Sequence, residues 1–150
     1  MKKIVVDTNI VFSAILNSTS KIAKILINSK DHFQFYTCDF LRFELIKHRP
    51  KLVKLTKLSL KEVEELELLV TENINFINEG LLPEKIINAT EKVLMDIDLN
   101  DTPFVALSKH LKASLWAGDK ILISGLKEKK FIESITTSKL SELLDDLERR

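Results

Sequence analysis

The chain has 150 residues, 45% of them hydrophobic and 30% charged, with 23 Lys and Arg against 22 Asp and Glu. That suits one domain, residues 1–150, around one core, and a net charge of +1 excludes attraction to nucleic acid by bulk charge alone. The lone Cys38 excludes an internal disulfide and a cysteine-based zinc cage; no stretch nears the roughly 18 apolar residues of a membrane span, and the apolar run after Lys2-Lys3 stops at Asp7, too soon for a secretory leader, so a cytoplasmic protein is expected.

Ile4-Val5-Val6 is a short β-branched run typical of a buried strand. Ile10–Leu16 is apolar with helical length, and Thr19 or Ser20 can cap a second helix to about Asn28. Phe33–Thr37 reads as a strand. Asp39 can cap a helix carrying Phe40, Leu41, Glu44, Leu45 and His48, which Pro50 is expected to interrupt. Ser59-Leu60-Lys61-Glu62 is a capping-box pattern opening a helix to about Asn73. A short strand at Phe76-Ile77 follows, then a helix opened by Pro83 and running to about Leu94. Asp101-Thr102-Pro103 opens another helix, Ser114–Ala117 reads as a strand ending at Gly118-Asp119, and Lys129–Thr136 holds a last weak strand. Ser138 caps a C-terminal helix through Leu140, Leu143, Leu144 and Leu147. Short apolar strands alternating with helices predict an α/β fold with a central, mainly parallel sheet covered on both faces.

Ligands of open parallel sheets bind beyond the carboxyl ends of the strands. Asp7 follows the first strand directly, and Asp119 follows the strand Ser114–Ala117. Glu44 lies on one helical stripe with Phe40, Leu41, Leu45 and His48, where an acid is costly unless paired or bound to a cation. Asp101 stands at the positive end of a helix dipole. Each has an ordinary reading as well: turn residue, loop acid, wet edge of a stripe or N-cap. If the four converge, two carboxylates 5 Å apart repel by about 3 kcal/mol at an effective dielectric of 20. Such a cluster persists by protonating or by binding a cation, and all-oxygen donors select hard ions, Mg²⁺ or Mn²⁺, which suit phosphoryl transfer.

Charge is also segregated along the chain. Lys47, Arg49, Lys51, Lys54, Lys57 and Lys61 form a run without an acid, and six acids without a Lys or Arg occupy Glu62–Glu79. The basic run can contact RNA phosphates beside the Glu44 helix, with Lys47, Arg49, Lys51 and Lys54 as candidates, or it can be a solvated face that pairs with the acids after Glu62. His48, four after Glu44, reads as a helical neighbour rather than a ligand, Trp116 as core, and Cys38 as a small buried hydrophobe.

Asp7-Thr8-Asn9 after a strand, Glu44 within Phe40–Lys47, Asp101-Thr-Pro-Phe-Val-Ala-Leu-Ser108, and Leu115-Trp-Ala-Gly-Asp119 together resemble the PIN domain (PilT N-terminus) family, in order and over nearly the whole chain. The resemblance implies a three-layer α/β/α sandwich with a sheet of four or five strands. It further implies a Mg²⁺- or Mn²⁺-dependent ribonuclease whose acids are Asp7, Glu44, Asp101 and Asp119. Asn9 matches a frequent supporting position, and Asp98 an acid common in close relatives. Many small stand-alone members are VapC-type toxins, often homodimeric, held by a VapB-like antitoxin; apolar residues on the first two helices are the expected place for a second copy or such a peptide. Position 117 is Ala where many relatives carry Thr or Ser. A binding module on the same fold, with weak or lost nuclease activity, is the alternative. Two other phosphotransfer architectures are disfavoured: Asn9 stands where a haloacid-dehalogenase site needs a second Asp, and Thr8 where a receiver domain needs its paired acid.

Overall fold

The computed structural model describes residues 1–150. The chain runs through Lys2–Val6 (β1), Thr8–Leu16 (α1), Lys21–Asn28 (α2), Phe33–Cys38 (β2), Phe40–Thr56 (α3), Leu60–Thr71 (α4), Ile74–Ile77 (β3), Glu84–Leu94 (α5), Thr102–Leu111 (α6), Ser114–Trp116 (β4), Lys120–Lys129 (α7), Ser134–Ile135 (β5) and Thr137–Glu148 (α8). One-turn 3₁₀ segments lie at Glu79–Leu81 and Leu99–Asp101.

All five strands are parallel, in the order β3-β2-β1-β4-β5. β1 is central, and its β-branched run Ile4-Val5-Val6 suits that place, with no accessible surface left once both faces are covered. From β1 the chain steps outward through β2 to β3, then returns to the other side of β1 for β4 and β5. Right-handed crossovers in opposite directions put their helices on opposite faces. Accordingly α1–α4 pack on one another, while α5 packs on α6, which lies across β1, β2 and β4. The expected three-layer architecture is borne out, with five strands. The direction of winding reverses between β1 and β4, so their carboxyl ends frame the crevice where such sheets bind ligands.

Local signals explain most boundaries. Ser20 caps α2 by accepting from the Ala23 amide, and Ser59 with Glu62 forms the expected capping box at α4. Other expectations need correction. Pro50 does not interrupt α3, which continues to Thr56. Proline deletes one ladder bond, but Leu45 and Leu52 on either side are buried and Arg49 is tied to Glu67 of α4, so tertiary packing carries the helix through. Asp39 occupies the N-cap position of α3 without a side-chain bond. Thr136, not Ser138, caps α8, and the last strand is only Ser134–Ile135. The sequence reading has no helix between Gly118 and Lys129, where α7 stands. Gly125 in its middle weakens the helical signal, yet that glycine is where the Ile97 side chain closes on α7, so close that a Cβ there would push its Cδ1 aside.

Candidate active site

Strand parallelism brings the carboxyl ends of β1 and β4 to one edge, with Asp7 and Asp119 as the next polar residues. Both are helix N-caps. Asp7 Oδ1 accepts from the Ile10 amide at 3.0 Å, and Asp119 Oδ1 accepts from Ile121 at 2.9 Å and Leu122 at 3.3 Å. Each carboxylate is thereby oriented by one oxygen while the other stays available. Asp101 precedes α6 and caps nothing with its side chain. Glu44, second turn of α3, is half-buried and accepts from Thr8 Oγ1 at 2.5 Å. That bond joins the residue after Asp7 to a helix 36 positions away.

The electrostatics record the convergence. Asp7 is only 5% exposed. Burial pushes its pKa up to about 7; the Ile10 amide offsets part of this, and repulsion from Asp101, Asp119 and Glu44 adds to it. Asp101 is pushed up to about 6, again by burial first, then by Asp98, Asp119 and Glu44. The four acids named from the sequence therefore stand within each other's fields. The N-termini of α1, α6 and α7 meet at the same edge, and their dipoles moderate the repulsion.

Four carboxylates with free oxygens are the donor set that suits a hard divalent cation. As the side chains stand, no three acids close on a common point, so an ion would have to draw them together by offsetting their mutual repulsion. The other positions differ. Asp98 is exposed and caps the 3₁₀ turn through the Asn100 amide, while its charge reaches Asp101. Asn9 is exposed on the first turn of α1. Ala117 is buried at the end of β4, and Trp116 is core, its indole N–H donating to Thr137 Oγ1 at 3.0 Å.

The basic candidates separate. Arg49 is held by Glu67 through Nε at 3.0 Å and one terminal nitrogen at 2.8 Å, which realises the pairing of basic and acidic runs at one point. Lys47, Lys51 and Lys54 are exposed and form no ion pair. Large exposed apolar side chains are not concentrated on α1 and α2, as the sequence reading has it, but on α3 and α4: Phe43, Ile46, Leu68 and Leu69. Two residues have contacts that the sequence does not disclose. Thr8 belongs to the Asp7-Thr8-Asn9 motif, but its bond to Glu44 appears only in the fold. Glu79, just past β3, has one fully buried carboxylate oxygen without a partner and helps to push the buried Cys38 thiol up to about 12, after burial itself.

Comparison with known proteins adds three findings. The sequence profile of the PIN domain matches residues 5–145. No curated protein matches the sequence. Among solved structures, the fold is similar to a chain in the crystal structure of VapBC2 from Rickettsia felis bound to a DNA fragment from their promoter. The TM-score is 0.70 at 13% identity, with 89% of this chain and 98% of that chain covered.

Proposed function

The chain belongs to the PIN domain family, and we propose that it is a divalent-metal-dependent ribonuclease that hydrolyses RNA phosphodiesters. The observation that carries this reading is the gathering of four acids from four distant stretches at one sheet edge, within reach of one another's charge, with Asp7 buried there. Asp7, Glu44, Asp101 and Asp119 would hold Mg²⁺ or Mn²⁺, with Asn9 and Asp98 in support. When bound, such an ion supplies acidification of an attacking water and neutralisation of charge at the scissile phosphate.

The chain's own groups do the positioning. Amides of Ile10, Ile121 and Leu122 fix Asp7 and Asp119 by one oxygen each. Thr8 holds Glu44 by Oε1, which leaves Oε2 free for a cation. Burial of Asp7 keeps bulk water from solvating its carboxylate, so a cation is attracted more strongly than to an exposed pair. In-line attack by water leaves a 5′-phosphate and a 3′-hydroxyl.

The test is cleavage of a mixed structured RNA pool in Mn²⁺ and in Mg²⁺, with EDTA and the Asp7→Asn/Asp101→Asn double variant as controls. Metal-dependent cuts that vanish in the variant and leave 5′-phosphates are expected. Absence of cutting by folded, peptide-free protein in either metal favours the second reading, a PIN-fold RNA- or protein-binding module. The separated acids and Ala117 are the observations on that side. The fold likeness to a VapBC2 chain supports a place in a toxin–antitoxin pair with a VapB-like antitoxin; a homodimer is part of the same reading by family resemblance alone, and the apolar side chains of α3 and α4 suit such a partner.

A further inference from the structure

One seam leading away from the acid cluster has no role in the chemistry above beyond its first rung, the Thr8–Glu44 bond. α1 and α3 both begin at the acid edge and run side by side away from it. Two rungs join them. Thr8 donates to Glu44, and one turn on, about 5.4 Å further, the rings of Phe12 and His48 meet edge to face, centroids 6.2 Å apart at 88°. Phe12 is four after Thr8 and His48 four after Glu44, so the second rung continues the rows of the first. The Lys51 ammonium stands 5.7 Å from the centre of the Phe12 ring, close to the roughly 6 Å outer limit of a cation–π contact. A contact of that length is weak, so little is lost when the ammonium turns to a phosphate instead.

Charge along this seam has one sign beyond the site. α1 carries no charged residue, and Glu44 is the only acid of α3. Glu44, Lys47, His48, Lys51 and Lys54, at i, i+3, i+4, i+7 and i+10, share one strip of that helix. None of the three lysines is paired with an acid. Arg49 lies off the strip, on the α4 side, held by Glu67. The seam thus sets a half-buried aromatic ring, packed on the core with one lysine over it, one helical turn from a carboxylate of the site.

We propose that the α1–α3 seam is a cradle for single-stranded RNA, in which Lys51, flanked by Lys47 and Lys54, leaves the Phe12 ring to take phosphates of the strand while Phe12, braced by His48, stacks a base next to the scissile phosphate. The proposal deepens the nuclease reading and rests on it for the position of the scissile bond. An aromatic face accepts any unstacked base, and lysines track the backbone without reading sequence. A duplex keeps its bases stacked and offers Phe12 nothing.

The test separates binding from cutting. A labelled single-stranded RNA of about 15 nucleotides, long enough to span such a site, is titrated in EDTA at several salt concentrations, and cleavage in Mn²⁺ is followed in parallel. The variants are Phe12→Leu, Phe12→Tyr, Lys51→Ala and, as a control in the same basic run but on α4, Lys61→Ala. Phe12→Leu is expected to weaken binding at least about five-fold, with KM raised more than kcat is lowered, and Phe12→Tyr to restore it. Lys51→Ala is expected to lower the slope of log K against log salt by about 0.7, and Lys61→Ala to change neither. Equal binding by wild type, Phe12→Leu and Lys51→Ala overturns the cradle even where the wild type cuts RNA. Duplex bound as tightly as single strand also overturns it, as does wild-type protein that binds no RNA. Binding that depends on Phe12 and Lys51 without cleavage in any metal keeps the cradle and removes the nuclease reading.

Discussion

Asp7 sits where a charge is least welcome and most useful. Its pKa is raised from an ordinary 3.8 to about 7, so the metal-free native state holds a proton that the unfolded chain releases. That contribution to stability is fully present below about pH 4 and is lost as pH rises through about 7. Asp101, raised to about 6, acts in the same direction. Between pH 5 and pH 8 the Asp7 contribution falls by on the order of 2–3 kcal/mol. Thermal melts in EDTA should show the wild type losing several degrees over that interval, and Asp7→Asn losing distinctly less while melting higher at pH 8. At this scale the acids are legible in the sequence because each follows a strand, opens a helix or breaks an apolar stripe. Thr8 and Phe12 are not, since their partners Glu44 and His48 lie 36 positions on, and only folding shows which hydroxyl or ring a distant helix presents.

Among the elements, α3 carries the most functions and the weakest local signal for its length. It holds Glu44, continues through Pro50, and is fastened to α4 by Arg49 and Glu67. Glu67 is nearly buried. Arg49→Ala therefore leaves a buried carboxylate unpaired and should cost about 2–4 kcal/mol, whereas replacing both partners by Met should recover much of that loss; urea melts of the single and double variants measure the difference. Pro50 misleads the sequence reading because proline's penalty is local, while the contacts that outweigh it come from α4 and the core. α7 is hidden for the converse reason: Gly125 lowers helix propensity to admit Ile97, a packing requirement that nothing near it in sequence reveals.

For the molecule as a whole, alternation of strands and helices announces the α/β class, but the order β3-β2-β1-β4-β5 rests on crossover direction, which no single segment encodes. The same order leaves the acids collected at one edge and mutually repelling, so a cation should tighten the entire fold. Mn²⁺ at ~100-fold above its dissociation constant stabilises a native state by about 2.7 kcal/mol, or roughly 5–10 °C for a chain of this size. Calorimetry with and without Mn²⁺ should show that rise in the wild type and its loss in the Asp7→Asn/Asp101→Asn variant.

The placement of β1 and β4 also sets a timetable. β1 emerges from the ribosome first, but its pairing partner β4 and the adjoining Asp119 follow more than a hundred residues later. Throughout most of synthesis one edge of the central strand stays open and the acid cluster lacks a member. On the nuclease reading proposed above, a growing chain that carries Asp7, Glu44 and Asp101 still lacks the fourth acid beside the RNA that encodes it until Asp119 is made.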